Sequence, residues 1–487
     1  MPYKILPDGK VEPLKLSPED VLKIVKEAGV KFIDLQFTDG PGRLQHTTIT
    51  VDVLTREVFE QGVPKLDGSS IRGFVEIQES DMVLKPDPNT FAIIPWIPQE
   101  MKTARMICDI YRGFGMGRLT RDPRYIAQRA EEYLRQEGFD FSYWGPELEF
   151  FVFDKVTWDV MMPYKGMSYR IESREAIWAP TGSNYPIRFK EGYFPAPPQD
   201  TLMEYRNECV QVLRDYFNIL STTHHHEVAT AGQCEIDMLH DTLTNMADGV
   251  ITCKFVTKNI AVKRGMIVTF MPKPIFMDNA SGMHVHVSIW KGGQNVFYDP
   301  DDEYAELSQI GRYFVGGLIE HARSLSAIVS PTTNSYKRLV PGYEAPVYAA
   351  WSRSNRSAAI RIPAYHRKSP KTKRVEYRPP DPAANPYFCF AAMLAAGLDG
   401  IKKKIDPGDP VDENIYHMTP ERRRQMGIKE LPGSLKEAVD ELMSDQEYLK
   451  PIFAQDAIDK IVENSLKEYN EVAMRPHPYE FHLYFDI

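Results

Sequence analysis

Four short segments of this chain repeat one pattern: charged or polar residues at every second position, with apolar residues between and around them. Successive side chains of a strand point to opposite faces, so residues two apart share a face. Glu147-Leu-Glu149, preceded by Gly145-Pro146 and followed by Phe-Phe-Val-Phe, therefore sets two carboxylates on one side of a strong strand. His284-Val-His286-Val-Ser288, after Asn279-Ala-Ser-Gly-Met283, repeats the arrangement. Arg374-Val-Glu376-Tyr-Arg378 places two guanidinium groups around one carboxylate, and Glu227 and Glu235 bracket a stretch that suits a turn between strands. A single stripe of this kind reads more naturally as a solvent-facing strand edge than as a site. Four in one chain suggest strands of one curved sheet sharing a polar interior.

Such an interior needs counter-charge. Burying Glu147, Glu149, Glu227, Glu235 and Glu376 without cations would be prohibitively costly. Oxygen-rich donors with one His, His284, suit Mg²⁺ or Mn²⁺ better than a thiol-loving metal, and two such ions could bridge phosphate oxygens. The run His224–His226 invites a zinc reading, but adjacent strand side chains cannot all face one metal and no matching Cys/His set follows. A cationic cluster complements the acids: Arg338, Arg356, Arg361, Lys371, Arg374 and Arg378. Lys368 and Lys373 read as a solvated basic face. Arg361, set in Ser-Ala-Ala-Ile-Arg-Ile-Pro, reads as facing a bound anion, since Arg grips carboxylate and phosphate in bidentate fashion. Neither a Walker A sequence nor a kinase-type glycine loop occurs, so a nucleotide would be held some other way.

Length, 487 residues, suggests two domains, one of them large. A net charge of -9 argues against a nucleic-acid-binding surface. The Met1–Lys15 stretch lacks the apolar core of a signal peptide, and the run Phe388–Leu398 falls short of the ~20 residues that span a bilayer. Cys108, Cys209, Cys234, Cys253 and Cys389 form no CxxC pair, which points to a reducing cytoplasm without disulfides.

Helix signals divide the chain. Ser17 can cap, Pro18 suits the first helical position, Val21, Leu22, Ile24, Val25 and Ala28 follow at helical spacing, and Gly29 can stop the helix. Strands over Lys31–Phe37 and Leu44–Val51 flank a turn at 39–42, giving a small α+β unit reaching about residue 120. Asp122-Pro123 restarts a helix that Gly138 stops, and the domain boundary is placed there. Beyond it, strands are expected at 145–154, 232–238, 282–290 and 374–378. Helices are expected near 200–219, 382–403 (capped by Asp381), 434–444 (opening with a capping box, Ser434 and Glu437) and 456–472. Segment 156–191 has neither period and reads as a long surface excursion, a kind of segment that is often functional.

Several strings together resemble glutamine synthetase of the bacterial and archaeal type. They are Lys65-Leu-Asp-Gly-Ser-Ser-Ile71, Gly145-Pro-Glu-Leu-Glu-Phe-Phe151, His225-His-Glu-Val-Ala-Thr-Ala-Gly-Gln-Cys-Glu235, Asn279-Ala-Ser-Gly-Met-His284, the segment from Asn334 to Pro346, and that from Arg374 to Tyr387. They run in order over nearly the whole chain. The resemblance implies an α+β protein: an extension over 1–16, a β-grasp domain over 17–121, and a catalytic domain over 122–487 whose curved antiparallel sheet lines the active site. It implies ATP-dependent joining of ammonia to glutamate through a γ-glutamyl phosphate, with two Mg²⁺ or Mn²⁺ ions. Glu149, Glu227 and Glu235 would hold one ion; Glu147, His284 and Glu376 the other. Asn279, Gly282, Arg338 and Arg378 resemble the glutamate-binding positions, and His286, Ser288, Arg356, Lys371 and Arg374 the ATP-binding ones. Asp67, Glu344 and Arg356 would be catalytic, with Glu344 on a loop over the site and Asp67 delivered by a neighbouring subunit. A cytoplasmic dodecamer of two stacked hexamers follows by the same resemblance, with nitrogen-regulatory proteins as possible partners and neither nucleic acid nor membrane.

The chain departs from the family at some positions. Ala280 replaces the usual Gly beside the glutamate site, and Thr222, Leu239 and His240 replace residues usual around the nucleotide. Tyr416 stands where some bacterial enzymes are adenylylated, but its context, Asn-Ile-Tyr-His-Met-Thr, differs, so no modification is expected. A γ-glutamyl ligase using an organic amine or polyamine is the alternative activity, and a catalytically silent scaffold the alternative of another class.

Overall fold

The computed structural model describes residues 3–5, 11–13, 15–180, 185–343, 345–364 and 366–487. Its first long helix, Pro18–Ala28, starts where the Ser17 hydroxyl accepts the Asp20 N–H (3.1 Å) and the Asp20 carboxylate accepts the Ser17 N–H (2.8 Å). Gly29 stops it with a φ of 65°. Val21 and Val25 pack this helix on a mixed six-stranded sheet in the order Leu44–Thr50, Phe32–Thr38, Thr103–Arg112, Asp81–Pro86, Val63–Asp67, with Ala92–Ile93 alongside Thr103–Arg112. Asp67 thus ends an edge strand and is exposed.

Asp122 caps the helix Pro123–Gln136 by accepting the Arg124 N–H at 3.1 Å, and its other oxygen accepts the Ile110 N–H of the N-terminal sheet, also at 3.1 Å. Arg124 fastens the two parts further. It is buried and donates to Asp87 (2.7 Å), Asp109 (2.7 Å) and Asp248 (2.9 Å), and the Tyr387 hydroxyl adds a bond of 2.6 Å to Asp248.

The second part is built on an eleven-stranded sheet whose path runs Ser221–His226, Gln233–Met238, Phe141–Phe153, Met283–Lys291, Val375–Tyr377, Ala358–Arg361, Tyr348–Ser352, Lys429–Glu430. The striped segments are therefore consecutive strands of one sheet, as their pattern implied. Every pair on the path is antiparallel except Tyr348–Ser352 with Ala358–Arg361, which is parallel. Leu148, Phe150, Ile236, Val285, Val287 and Val375 on the inner face join the main core, where the helices Pro123–Gln136, Leu243–Lys263 and Pro386–Lys403 pack.

The structure differs from expectation in identifiable ways. The helix expected from Pro382 begins at Pro386, capped by Asn385; Asp381 instead accepts the Ala383 N–H in a buried turn. Ser434 caps Leu435–Ser444, but the Glu437 carboxylate accepts the N–H of Gly433 rather than that of Ser434, so the box is half made. Helices Leu243–Lys263, Gln309–Glu320 and Ala322–Val329 had no expectation. The first is buried nearly all round, so no polar stripe marks its period. The excursion opens as an exposed hairpin, Lys155–Asp159 with Ser168–Glu172, and residues 181–184 of it lie outside the described residues.

Candidate active site

Strand register brings the acids together. His225 lies opposite Glu235, and Glu235 opposite Glu149. Asp237 lies opposite Glu147, and Glu147 opposite His284. His286 lies opposite Glu376, and Glu376 opposite Arg361. Three ladder rungs thus cross adjacent strands on one face.

Two clusters result. In one, ligand atoms of His225, Glu227 and Glu235 lie within 4.8 Å of one another. Glu149 is beside it, its carboxylate accepting Gln233 Nε2 at 3.0 Å. Burial, then repulsion from Glu227, pushes the Glu149 carboxyl well above the usual range; burial, then Glu149 and Glu227, does the same to Glu235. These acids are held close with too little positive charge among them. A divalent cation would supply it, and the oxygen donors suit a hard ion.

The other cluster is Glu147, His286 and Glu376, again within 4.8 Å. His286 Nε2 is 2.7 Å from Glu147 Oε1, and its Nδ1 accepts Arg374 Nε at 3.1 Å, which fixes the tautomer with the proton on Nε2. His284 Nδ1 is 3.2 Å from Glu147 Oε2 and 3.9 Å from Glu376 Oε1. Burial, then the Arg378 charge, lowers His284 to about 4, so its imidazole is neutral. Burial would raise Glu147, but His286 and His284 outweigh it and hold the carboxyl well below the usual range. Arg361 (2.5 Å) and Arg378 (3.0 Å) donate to Glu376. The donor types again fit Mg²⁺ or Mn²⁺.

Between the clusters lies Gly282. A Cβ there would sit 2.8 Å from Arg338 Nη2, 3.0 Å from His284 Nε2 and 3.2 Å from Glu149 Oε1. Arg338 is buried and fixed by two carbonyls, Pro379 O at 2.6 Å and Arg378 O at 3.0 Å. A cation aimed at acids and bare backbone makes a small anion pocket, and Gly282 is bare because a side chain has no room there.

Residues 29–113 match the β-grasp domain of glutamine synthetase, and residues 120–484 match its catalytic domain. The chain belongs to the glutamine synthetase family. A glutamine synthetase of Sulfolobus acidocaldarius is 56% identical over 474 residues, covering 97% of this chain and 99% of that one. That of Escherichia coli K12 is 46% identical over 481 residues, covering 97% and 100%. With archaeal and bacterial relatives this similar over their full length, the chain is of type I. Among solved structures, a Plasmodium falciparum glutamine synthetase superposes with a TM-score of 0.86 at 28% identity, covering 96% of this chain and 99% of that one. A GmaS/ADP complex reaches 0.80 at 26% identity, covering 96% and 100%.

The glutamine synthetase positions distribute as follows. Glu147, Glu149, Glu227, Glu235, His284, His286, Glu376, Gly282, Arg338 and Arg378 come together around the two clusters. Asn279 is buried in the adjoining loop, and its N–H bonds Asp278 at 2.9 Å. Ala280 keeps a backbone role despite its methyl, its carbonyl accepting Gln233 Nε2 at 3.2 Å. Ser288 continues the strand and accepts Trp290 Nε1 at 3.0 Å. Arg356 is exposed beside Tyr193, and Lys371 is exposed on the turn Pro370–Thr372. Asp67 stays on the N-terminal edge, bonded to Ser69 and Ser70 and, among the described contacts, to no residue of the clusters. Glu344 lies outside the described residues. Lys373 is a correction: rather than solvated, it is buried and donates to Ala305 O, its stem running inward beside the sheet.

The sequence reading missed His225, Gln233 and Asp237. Pairing 221–226 against 233–238 would have found them, since His225 then falls on the Glu235 rung. At the other end, His240 packs edge-on to Tyr143 (4.7 Å), which in turn meets Trp290 (5.7 Å). Thr222 and Leu239 are exposed. The Tyr416 hydroxyl donates to Ala345 O at 2.5 Å and is half-buried. Among the described residues no helix is long and apolar enough to cross a membrane.

Proposed function

We propose that the two clusters and the Gly282–Arg338 pocket form the centre at which this chain performs the reaction of its family. That reaction is ATP-dependent synthesis of glutamine from glutamate and ammonia, which makes the chain a glutamate–ammonia ligase. What carries this placement is the meeting of Glu149, His284 and Arg338 on Gly282, which sets an anion pocket between two acidic clusters.

Two divalent ions, Mg²⁺ or Mn²⁺, held by Glu149, Glu227 and Glu235 and by Glu147, His284 and Glu376, would neutralise the acids and stabilise phosphoryl charge. His225 is close enough to share the first set, whereas His286, its Nδ1 taken by Arg374, supports the second by hydrogen-bonding Glu147. Arg338, Arg378, Asn279 and the bare backbone at Gly282 receive glutamate. Arg356, Lys371 and Arg374 meet ATP phosphates, with His286 and Ser288 on the nucleotide side. A γ-carboxylate oxygen attacks the γ-phosphorus, ADP departs, and the carboxylate becomes an acyl phosphate. Asp67, Glu227 and Glu344 attract NH₄⁺, Glu344 removes one proton to free ammonia, and ammonia attacks the acyl carbon; the adduct then loses phosphate and a second proton to leave the amide. Asp67 sits on an exposed edge, which suits delivery to a neighbouring subunit, in a cytoplasmic dodecamer of two stacked hexamers open to regulatory partners.

The test offers purified chain ATP, glutamate and Mg²⁺ with either ammonium or a polyamine. Glutamine from ammonium alone is expected; γ-glutamyl polyamine without glutamine would overturn the assignment. In Glu344→Ala, acyl phosphate formation should persist while amide formation slows, and undiminished glutamine synthesis would remove Glu344 from the mechanism. Solution mass should approach twelve times the 55.8 kDa of one chain.

A further inference from the structure

The excursion after the hairpin returns to the site at Lys190, whose backbone N–H donates to Asp278 Oδ1 at 3.0 Å. Asp278 is wholly buried and acts as a node. The same Oδ1 accepts the Asn279 N–H at 2.9 Å, and Oδ2 accepts the Thr230 N–H, in the turn after Glu227, at 2.6 Å. One carboxylate therefore ties together the returning excursion, the glutamate-site loop and the turn beside an acidic cluster.

Two lysines reach out from this node. Lys273 Nζ donates to the Asp278 carbonyl, and its main chain is bonded both ways to Asn334, at 2.7 and 3.0 Å, in the segment that leads to Arg338. Lys273 Nζ then lies 4.3 Å from the centre of the Tyr343 ring. Lys190 Nζ lies 4.4 Å from the same ring and donates to Gly342 O at 3.1 Å. Two ammonium groups on one aromatic ring repel each other, so an arrangement that accepts this needs a return; each cation–π contact supplies part of it. Burial, then the neighbouring Lys190, brings Lys273 down to about 8, in spite of Asp278.

On the functional reading above, we propose that Lys190 and Lys273, anchored on Asp278, are positioning residues that clamp Tyr343 and so fix the Gly342–Tyr343 segment against the glutamate-binding loop. None of the three touches a reacting atom. Their effect is to tie the placement of the Gly342–Tyr343 segment to an ordered glutamate pocket. With the clamp broken, water competes with ammonia for the acyl phosphate: water's oxygen bonds the acyl carbon, the carbon–oxygen bond to phosphate breaks, and glutamate is regenerated. The net reaction is then ATP hydrolysis.

The experiment measures phosphate released per glutamine formed, and KM for ammonium, in Lys190→Met, Lys273→Met, the double variant, Tyr343→Leu and Tyr343→Phe. Met keeps the length of each stem but not its charge, and Lys190 is exposed, so Lys190→Met should fold normally. Expected is a phosphate-to-glutamine ratio above one in the double variant and in Tyr343→Leu, with KM for ammonium raised roughly 3- to 10-fold per lost contact and KM for ATP unchanged. Tyr343→Phe retains the ring face and should behave as wild type, a rescue that a merely space-filling role would not distinguish from Leu. A ratio of one and unchanged ammonium KM in a folded double variant would overturn the clamp. Failure of the wild type to make glutamine would instead overturn the functional reading on which it rests.

Discussion

Replacing Gly282 by Ala adds one methyl at the point where both clusters meet. Its φ lies outside the left-handed region, so the backbone tolerates alanine and only space opposes it. The Cβ would lie 2.8 Å from Arg338 Nη2, well inside normal contact, and 3.0 Å from His284 Nε2. Something must move by several tenths of an ångström, and the backbone is pinned, because Gly282 O accepts the Glu149 N–H at 3.2 Å. Arg338 is the group that yields, and it loses one of its two carbonyl bonds, that to Arg378 O. A hydrogen bond from a buried charged donor contributes about 1.5–3 kcal/mol. If Arg338 orients glutamate, that loss weakens glutamate by about 10- to 150-fold, at about 1.4 kcal/mol per decade. Initial rates measured against glutamate and ATP separately should show the loss in the glutamate KM, with the ATP KM changed by less than about twofold, since ATP meets other arginines. A thermal melt on the same sample reports whether the strain appears as lost stability instead. A folded Gly282→Ala with wild-type glutamate KM would refute both the pocket and the role of Arg338.

Three other perturbations test other parts of the molecule. Arg124→Met strands the carboxylates of Asp87, Asp109 and Asp248 at the junction of the two parts, which should cost about 3–5 kcal/mol and lower the melting temperature, and Asp248→Asn added to it should recover part of the loss; an unchanged melt would remove the junction from the account. His321 is buried between Asp399 (2.9 Å) and Asp445 (2.8 Å); burial alone would lower it, but the two acids outweigh burial and bring it to about 8. A pKa raised on folding gives stability that is full below about 6.5 and lost as pH rises through about 8, here about 2 kcal/mol, so melting should fall across that window in wild type but not in His321→Gln. Chelation should lower the melting temperature and saturating Mn²⁺ raise it, by about 2.7 kcal/mol at a hundred times Kd, with the shift reduced in Glu235→Gln; melting indifferent to metal would deny that the acidic clusters bind it.

How far the sequence reveals this protein follows from what each signal measures. Period two is a local property, so Glu147 with Glu149 and His284 with His286 announce strands and a shared face without any knowledge of pairing. Helix ends are also local, which is why Ser17, Gly29 and Asp122 could be read directly. Where two local signals compete, tertiary structure chooses. Asp381-Pro382 and Asn385-Pro386 are equally good starts, and the second prevails because Asp381 is drawn into the interior near Arg338 and Lys254. The helix Leu243–Lys263 is hidden for the opposite reason, since a segment buried on nearly all sides carries no periodic polar face.

The site itself divides along the same line. That acids and histidines would converge was visible, but which histidine meets which acid depends on register across three strands. Glu147 stands opposite His284, yet the shorter contact runs diagonally to His286, at 2.7 Å against 3.2 Å. A one-residue slip would turn every one of these side chains to the other face, so the long apolar partners Val285 and Val287, buried beneath, are what hold the chemistry in line. Asp67 marks the other limit. Among the described residues it meets no member of the clusters within one chain, and only the resemblance assigns it a task. If a neighbouring subunit supplies it, mixing Asp67→Ala chains with Arg338→Ala chains should restore activity at the mixed interfaces, because one kind of chain brings an intact Asp67 to the other's intact Arg338. Activity no higher than that of the separate variants, in a sample shown to contain mixed oligomers, would place Asp67 outside the reaction or within its own chain's site.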